Sequence, residues 1–167
     1  MTLAWAQTPA QARVLLTQDQ ALAIAFPGAR VERRTVFLTK EQMARIEKKA
    51  KAKVADEMFA YYVARSTDGI LGYAFFESHI VRTMPETFMV ALNPGGDIRV
   101  VELLAFYEPE DYKPHPKWLR TFKGRELSDQ LWVKRGLRNI AGATLTAQAI
   151  AEGVRRILAV YEVAVKQ

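Results

Sequence analysis

Phe59-Ala60-Tyr61-Tyr62-Val63-Ala64-Arg65, then Ser66-Thr67-Asp68-Gly69, then Ile70-Leu71-Gly72-Tyr73-Ala74-Phe75-Phe76 stand in succession near the middle of the chain. The outer pieces are crowded with aromatic and branched side chains, which suit a pleated, half-buried surface. The piece between them carries the Asp-Gly signal of a tight turn, so the stretch reads as strand, hairpin, strand. Downstream the pattern repeats. Ser78 to Arg82 and Glu86 to Leu92 are two more β-type runs joined at Met84-Pro85, Asn93-Pro94-Gly95-Gly96 turns the chain, and Ile98 to Tyr107 follows. Short strands with tight turns at this spacing predict an α+β fold: a twisted antiparallel sheet, wound as a meander, with one face covered by helices.

Upstream of this region the period is helical. Thr17-Gln18-Asp19-Gln20 and Thr39-Lys40-Glu41-Gln42 both read T-x-x-Q. In such a capping box the threonine and glutamine each satisfy a backbone donor that the helix start leaves open. The first helix is expected to stop at Pro27-Gly28 and the second to reach about Lys53, with Val31 to Leu38 extended between them. Residues 17–57 are therefore read as a helical N-terminal segment and 58–167 as the main domain, the two forming one folded unit. Residues 1–16 are a tail. Within it Ala4-Trp5-Ala6 before Gln7 has the small-x-small form that precedes a signal-peptidase cut. An apolar region before it is lacking, so the segment is at most a remnant of a signal peptide.

Composition bounds the chemistry. The 167 residues are half apolar and one quarter charged, which suits a folded core and excludes a disordered chain. No apolar run reaches the roughly 18–20 residues that cross a bilayer. With no cysteine, thiolate metal sites, disulfides and cysteine nucleophiles are excluded, and two histidines, His79 and His115, make a histidine-rich metal centre unexpected. No Ser–His–Asp order, P-loop or close acidic pair stands out to support hydrolysis or phosphoryl transfer. The formal charge of +6 is local: residues 30–53 hold nine basic and three acidic side chains, and the rest sums to zero. Such a stripe is a solvated helix face or a docking face for an acidic partner, nucleic acid or an anionic surface.

Beyond the strands, Glu108 to Leu131 is irregular, with Pro109, Pro114 and Pro116, yet carries Tyr112, Trp118 and Phe122. Aromatic residues on such a loop anchor it to the core or line a pocket. A final helix is expected from about Ala147 to Val163, with Ile150, Val154, Ile157, Leu158 and Tyr161 as its buried stripe. Before it stands Asn139-Ile140-Ala141-Gly142-Ala143-Thr144-Leu145-Thr146. Small residues let a ligand approach the backbone closely. A helix start offers unpaired N–H groups and the positive end of the dipole, which favour a phosphate. Thr146 is the expected N-cap, which would leave Thr144 free to face a ligand.

Gly142-Ala143-Thr144-Leu145-Thr146 followed by a helix resembles the S/T-G-A-T-x-T-S signature of the FMN-binding domain family, which includes the C subunit of the sodium-pumping NADH:quinone reductase and the G subunit of the Rnf complex. Further landmarks follow in that family's order: Asp68-Gly69-Ile70-Leu71-Gly72, Glu108-Pro109, and Trp118 to Phe122, so the likeness covers about 59–163. The resemblance implies FMN as cofactor, attached as a phosphoester to Thr144 by a flavin transferase that uses FAD as donor. It places the FMN phosphate where the C-terminal helix starts. On that reading Gly142, Ala143, Leu145 and Thr146 supply close backbone or hydroxyl contacts, while Glu108, Tyr112 and Trp118 form the ring environment. Two positions depart from the family: Ala141 replaces a serine or threonine, and Arg138 replaces an aspartate read by the transferase. They bear on covalent attachment more than on binding.

The expected function is thus an electron-transfer flavoprotein domain, extracytoplasmic (periplasmic), without turnover of its own. It would relay electrons between redox partner proteins such as a membrane reductase or a cytochrome. Membrane association would come only through a partner or a missing N-terminal segment, and nucleic acid is not expected. Two alternatives stay open: a basic-helix module that binds nucleic acid or an anionic surface, and a flavin-less member of the same fold. Arg82, Lys123 and His79 are further candidates for contacts to the phosphate, the flavin or a partner.

Overall fold

The structure, a computed structural model, describes residues 13–166. The small-x-small triplet at residues 4–6 lies outside the described residues. The elements in chain order are β1 (Arg13–Val14), α1 (Gln18–Ala25), β2 (Arg30–Phe37), α2 (Lys40–Ala50), β3 (Met58–Ser66), β4 (Gly69–Val81), β5 (Met84–Leu92), β6 (Ile98–Phe106), α3 (Pro116–Leu119) and α4 (Thr144–Val160). The six strands form one antiparallel sheet in the order β1-β6-β5-β4-β3-β2. Strands β2 to β6 each lie beside the next in sequence, so the fold is an α+β meander with flanking helices.

Both capping boxes are present. Thr17 and Thr39 each accept from the backbone N–H three residues on, at 3.2 Å, and Gln20 and Gln42 each accept in return at 2.9 Å. Helix α2 ends at Ala50, three residues before the expected Lys53. Lys51 turns left-handed (φ 54°) and its N–H closes on the Glu47 carbonyl, while the Glu47 carboxylate accepts from Val54 N–H at 3.0 Å and bends the chain into β3.

Three strand readings change. Thr67 and Asp68 alone form the hairpin loop, because Gly69 already pairs with Ser66. The runs expected at 70–76 and 78–82 are one strand, β4. The next turn falls at Arg82 and Thr83 rather than at Met84-Pro85, with Arg82 at φ 55°. Pro85 pairs with Ile80, and β6 joins β5 only from Glu86, so its missing N–H falls where β5 has a single neighbour.

Helices cover both faces of the sheet, not one. Helix α1 packs Ala21, Leu22, Ala25 and the following Phe26 against Ala64, Ala74, Met89, Ala91 and Leu104. The opposite face meets α2 and α4, and its core includes Phe75, Phe88, Val90, Leu92, Ile98 and Phe122. The expected stripe of α4 is buried throughout, at 2% exposure or less. Each such side chain contributes about 1.5–3 kcal/mol relative to exposure. Arg155 pins the helix from its other side. Fully buried, it donates to the carbonyls of Ala50 (2.7 Å), Lys49 (3.2 Å) and Ser128 and lies over the Trp132 ring at 4.6 Å. After Val160 the helix widens into a π-helical turn, Tyr161–Val165.

The sheet is not closed along its whole length. β3 and β4 pair from Ser66↔Gly69 as far as Tyr61↔Phe75 and then part. Met58, Phe59 and Ala60 stay with β2, and Phe76 to Val81 stay with β5. A split opens between them.

Candidate functional site

The resemblance directs attention to the start of α4. Ile140 and Ala143 close a turn (Ala143 N–H to Ile140 O, 3.0 Å), and Gly142 takes φ +78°. A side chain there would be strained by that φ, yet a Cβ built on Gly142 meets nothing within 4 Å. The glycine therefore relieves the backbone and leaves open space above it.

The helix begins three residues earlier than expected. Thr144 is its first residue and Ala143 its N-cap, which has no side chain able to accept from the first turn. Thr146 is therefore not the cap; it lies inside the first turn and is buried. Thr144 is half-buried, and its Oγ1 accepts from Asn139 Nδ2 at 3.0 Å. Ala141, Gly142 and Leu145 are exposed around it.

Packing fixes the direction of α4. The Tyr161 ring lies 5.1 Å from that of Tyr73, near the start of β4. Gly153 lies against Glu77 and Phe88, where a Cβ would come within 2.7 Å of either side chain. The helix therefore runs back along β4. Thr144, nine residues before Gly153, lies about 13 Å up the helix, and Val81, four residues past Glu77, about 13 Å along the strand. The start of α4 is thus level with the β4–β5 turn.

The other predicted site residues gather at this end of the sheet in anchoring roles. Glu108 is buried, and its Oε1 accepts from the N–H groups of Thr83 (3.1 Å) and Met84 (3.0 Å), holding the β4–β5 turn. Tyr112 is half-buried, with Arg82 over its ring at 4.1 Å. Trp118 is buried edge-on to Phe122 at 5.1 Å, and its Nε1 donates to Arg138 O at 2.7 Å, fixing the segment that leads to Thr144. Each spends polar capacity on the protein itself. Lys123 is exposed, and His115 caps α3 by accepting from Lys117 N–H.

A second constellation lies on the α4 side of the sheet, and of its members sequence reasoning singled out only His79. Alternation along β4 puts Glu77 and His79 on one face, and His79 faces Glu86 across the β4–β5 ladder. His79 Nε2 is 2.6 Å from Glu86 Oε1. Its Nδ1 is 3.7 Å from Glu77 Oε1, which accepts from Arg156 at 2.7 Å. Glu86 is fully buried, and its Oε2 has no hydrogen-bond partner among the described residues. Burial disfavours the imidazolium, but the neighbouring Glu77 and Glu86 outweigh it and raise His79 from 6.5 to about 9. Burial also holds the Glu86 carboxyl above its ordinary range, against the pull of His79. Both directions favour keeping a proton in the pair at neutral pH.

Among the described residues no group of three or more carboxylates and histidines is arranged to hold a metal ion, and no helix is long and apolar enough to cross a membrane. No family model matches the chain, and no curated protein matches it.

Proposed function

We propose that this chain is an FMN-carrying electron-transfer domain whose cofactor phosphate is held at the start of α4, on Thr144. The observation that carries the reading is the construction of that helix start. The N-cap is an alanine with no acceptor, the space over Gly142 is open, and a threonine hydroxyl is held in place by Asn139 at the first helical residue. First-turn amides and the positive end of a 17-residue helix form a donor set suited to a phosphate.

FMN, when bound, supplies one- and two-electron transfer. The chain supplies position. The N–H groups of Leu145 and Thr146 would face the phosphate oxygens, and Asn139 orients the Thr144 hydroxyl. Glu108 and Trp118 keep the surrounding turn and loop in place. If attached, FMN would be held as a phosphoester of Thr144 Oγ, with FAD as the donor, AMP as the leaving group and the hydroxyl proton taken up by the transferase. The exposed Arg138 and Ala141 lie where that transferase reads the chain, so its tolerance decides whether FMN is covalent or held tightly without a bond. Electrons would pass between redox proteins in an extracytoplasmic compartment.

Coexpression with a flavin transferase, followed by denaturation and mass measurement, tests this. A flavin nucleotide retained on the denatured chain and lost in Thr144→Ala is the expected result; colour released on denaturation supports non-covalent binding. No added mass together with no uptake of free FMN on titration overturns the proposal.

A further inference from the structure

The split between β3 and β4 is a pocket in its own right. It encloses about 620 Å³ and passes through the sheet, with Tyr62 and Phe76 on its α1 side and Phe59 and Phe75 on its α4 side. That size lies within the range of about 300–1,000 Å³ typical of small-molecule sites. Its facing strand edges, Met58 to Ala60 and Phe76 to Val81, have no ladder partner in each other, so backbone donors and acceptors border it.

The charge around it leans positive. Arg33, Lys53 and Arg156 line the pocket against Asp56 and Glu77, a balance of one positive charge, and His79 shares its proton with the buried Glu86. Two of the cations are fixed. Arg156 donates to Lys53 O and to Glu77, each at 2.7 Å, and His79 is held through Nε2 by Glu86 at 2.6 Å. His79 Nδ1 faces Glu77 at 3.7 Å, longer than an ordinary hydrogen bond, so a ligand oxygen that took this nitrogen would do so in place of that carboxylate. The other two are exposed: Lys53 stands beside Arg156 at the α4-side mouth, whereas Arg33, opposite Tyr62 in the β2–β3 ladder, lies on the α1 side. No residue of the α4 start lines this pocket. Arg156 lies twelve residues along α4 from Thr144, about 18 Å by helical rise.

We propose that the β3–β4 split binds a small planar organic anion, its ring between the aromatic walls and its carboxylate at the α4-side mouth against His79, Arg156 and Lys53. Aromatic walls alone would accept a neutral ring, and a cationic surface alone would accept any anion. Their coincidence in one through-sheet opening selects a conjugated carboxylate.

The probe is 2-naphthoate, titrated into the full-length chain by calorimetry and by two-dimensional amide NMR, with 2-naphthamide as the uncharged counterpart. Binding at about 1 mM or tighter is expected for a fitted ligand of this size. The amide should bind at least about tenfold more weakly, and Lys53→Gln should weaken the acid by about fivefold or more, as loss of a charge-assisted contact predicts, whereas Arg33→Gln, on the other face, should leave it unchanged. The amides of Ala60, Phe76 and His79 should shift. Absence of binding, equal affinity for acid and amide, unchanged affinity in Lys53→Gln, or shifts located elsewhere would each overturn the proposal. The same affinity is expected in Thr144→Ala, so the outcome stands apart from that of the flavin experiment.

Discussion

Replacing His79 by glutamine should flatten the dependence of stability on alkaline pH. In the folded chain the imidazole titrates at about 9 against an ordinary value of 6.5. A group with a raised folded pKa contributes its full stability below the unfolded value and loses it as pH rises through the folded one. His79 therefore stabilises the protein below pH 6.5, and its contribution fades between 6.5 and about 9. At about 1.4 kcal/mol per tenfold change in proton affinity, the ceiling is about 3 kcal/mol. Its side chain is 18% exposed, so solvent screening brings the figure down to about 2 kcal/mol. The Glu86 carboxyl, also raised, acts with the same sign: stability is lost as it ionises. For a chain of this size about 2 kcal/mol corresponds to a fall in Tm of about 4–8 °C. Thermal unfolding followed by circular dichroism at half-unit steps from pH 6 to 9.5 measures it. A wild-type Tm that is flat or rises over this window relative to His79→Gln would refute the reasoning, because a proton held between His79 and Glu86 leaves no other sign.

Three further outcomes are expected. Thr144→Ser should keep flavin attachment under coexpression with the transferase while Thr144→Ala loses it, read as the presence or absence of the added nucleotide mass. Arg155→Ala should destabilise the fold by about 3–5 kcal/mol, since it strands three carbonyls and uncovers Trp132; denaturant unfolding measures this. Gly153→Ala should cost about 1–3 kcal/mol in the same assay, because its methyl group would meet Glu77 Oε1 at 2.6 Å and Phe88 Cζ at 2.7 Å.

What could be read in the sequence follows from how local each signal is. The two capping boxes span four residues each and form as written. The buried stripe of α4 is a matter of period alone, and every member is buried. The strand break expected after Phe76 fell on Glu77 alone, whose charge interrupts the apolar run. In the folded chain Glu77 is tied to Arg156, 79 residues away, so what holds it inside a strand is tertiary. Continuing the period of two through Glu77 would have placed Glu77 and His79 on the face of Phe75. The start of α4 misled for a related reason: Thr146 has the chemistry of a cap, but its burial draws it into the first turn and leaves Ala143 at the cap position. The parting of β3 and β4 carries no local signal, since it is a property of register between strands. Of the residues expected around a flavin ring, Glu108 and Trp118 were found by the likeness to a family motif, which says where a residue recurs. Their hydrogen bonds give them a scaffolding role at the same end of the sheet.

The basic stripe also divides once its residues have places. Lys49 reaches Glu162 at 2.8 Å and Lys51 reaches Asp129 at 2.7 Å, ties from α2 to the end of the chain and to the loop beyond α3. These pairs are largely exposed and screened by solvent, so their effect is to cancel charge rather than to hold the fold. Lys53 stands at the α4-side mouth of the split and Arg33 on its α1 side. Arg30 and Arg34, with Arg33, sit on β2, the outer strand of the sheet, where charge discourages another chain from adding to the edge. A stripe that reads as one +6 block in sequence is thus divided among a charge-cancelled contact, a pocket, a guarded edge and the exposed Lys40, Arg45 and Lys48 of α2. A nucleic-acid face needs many cations aligned along one track of phosphates. On the function we propose, the divided stripe would serve small anions at the split and transient docking of an acidic redox protein, for which diffuse positive potential speeds encounter without a fixed interface.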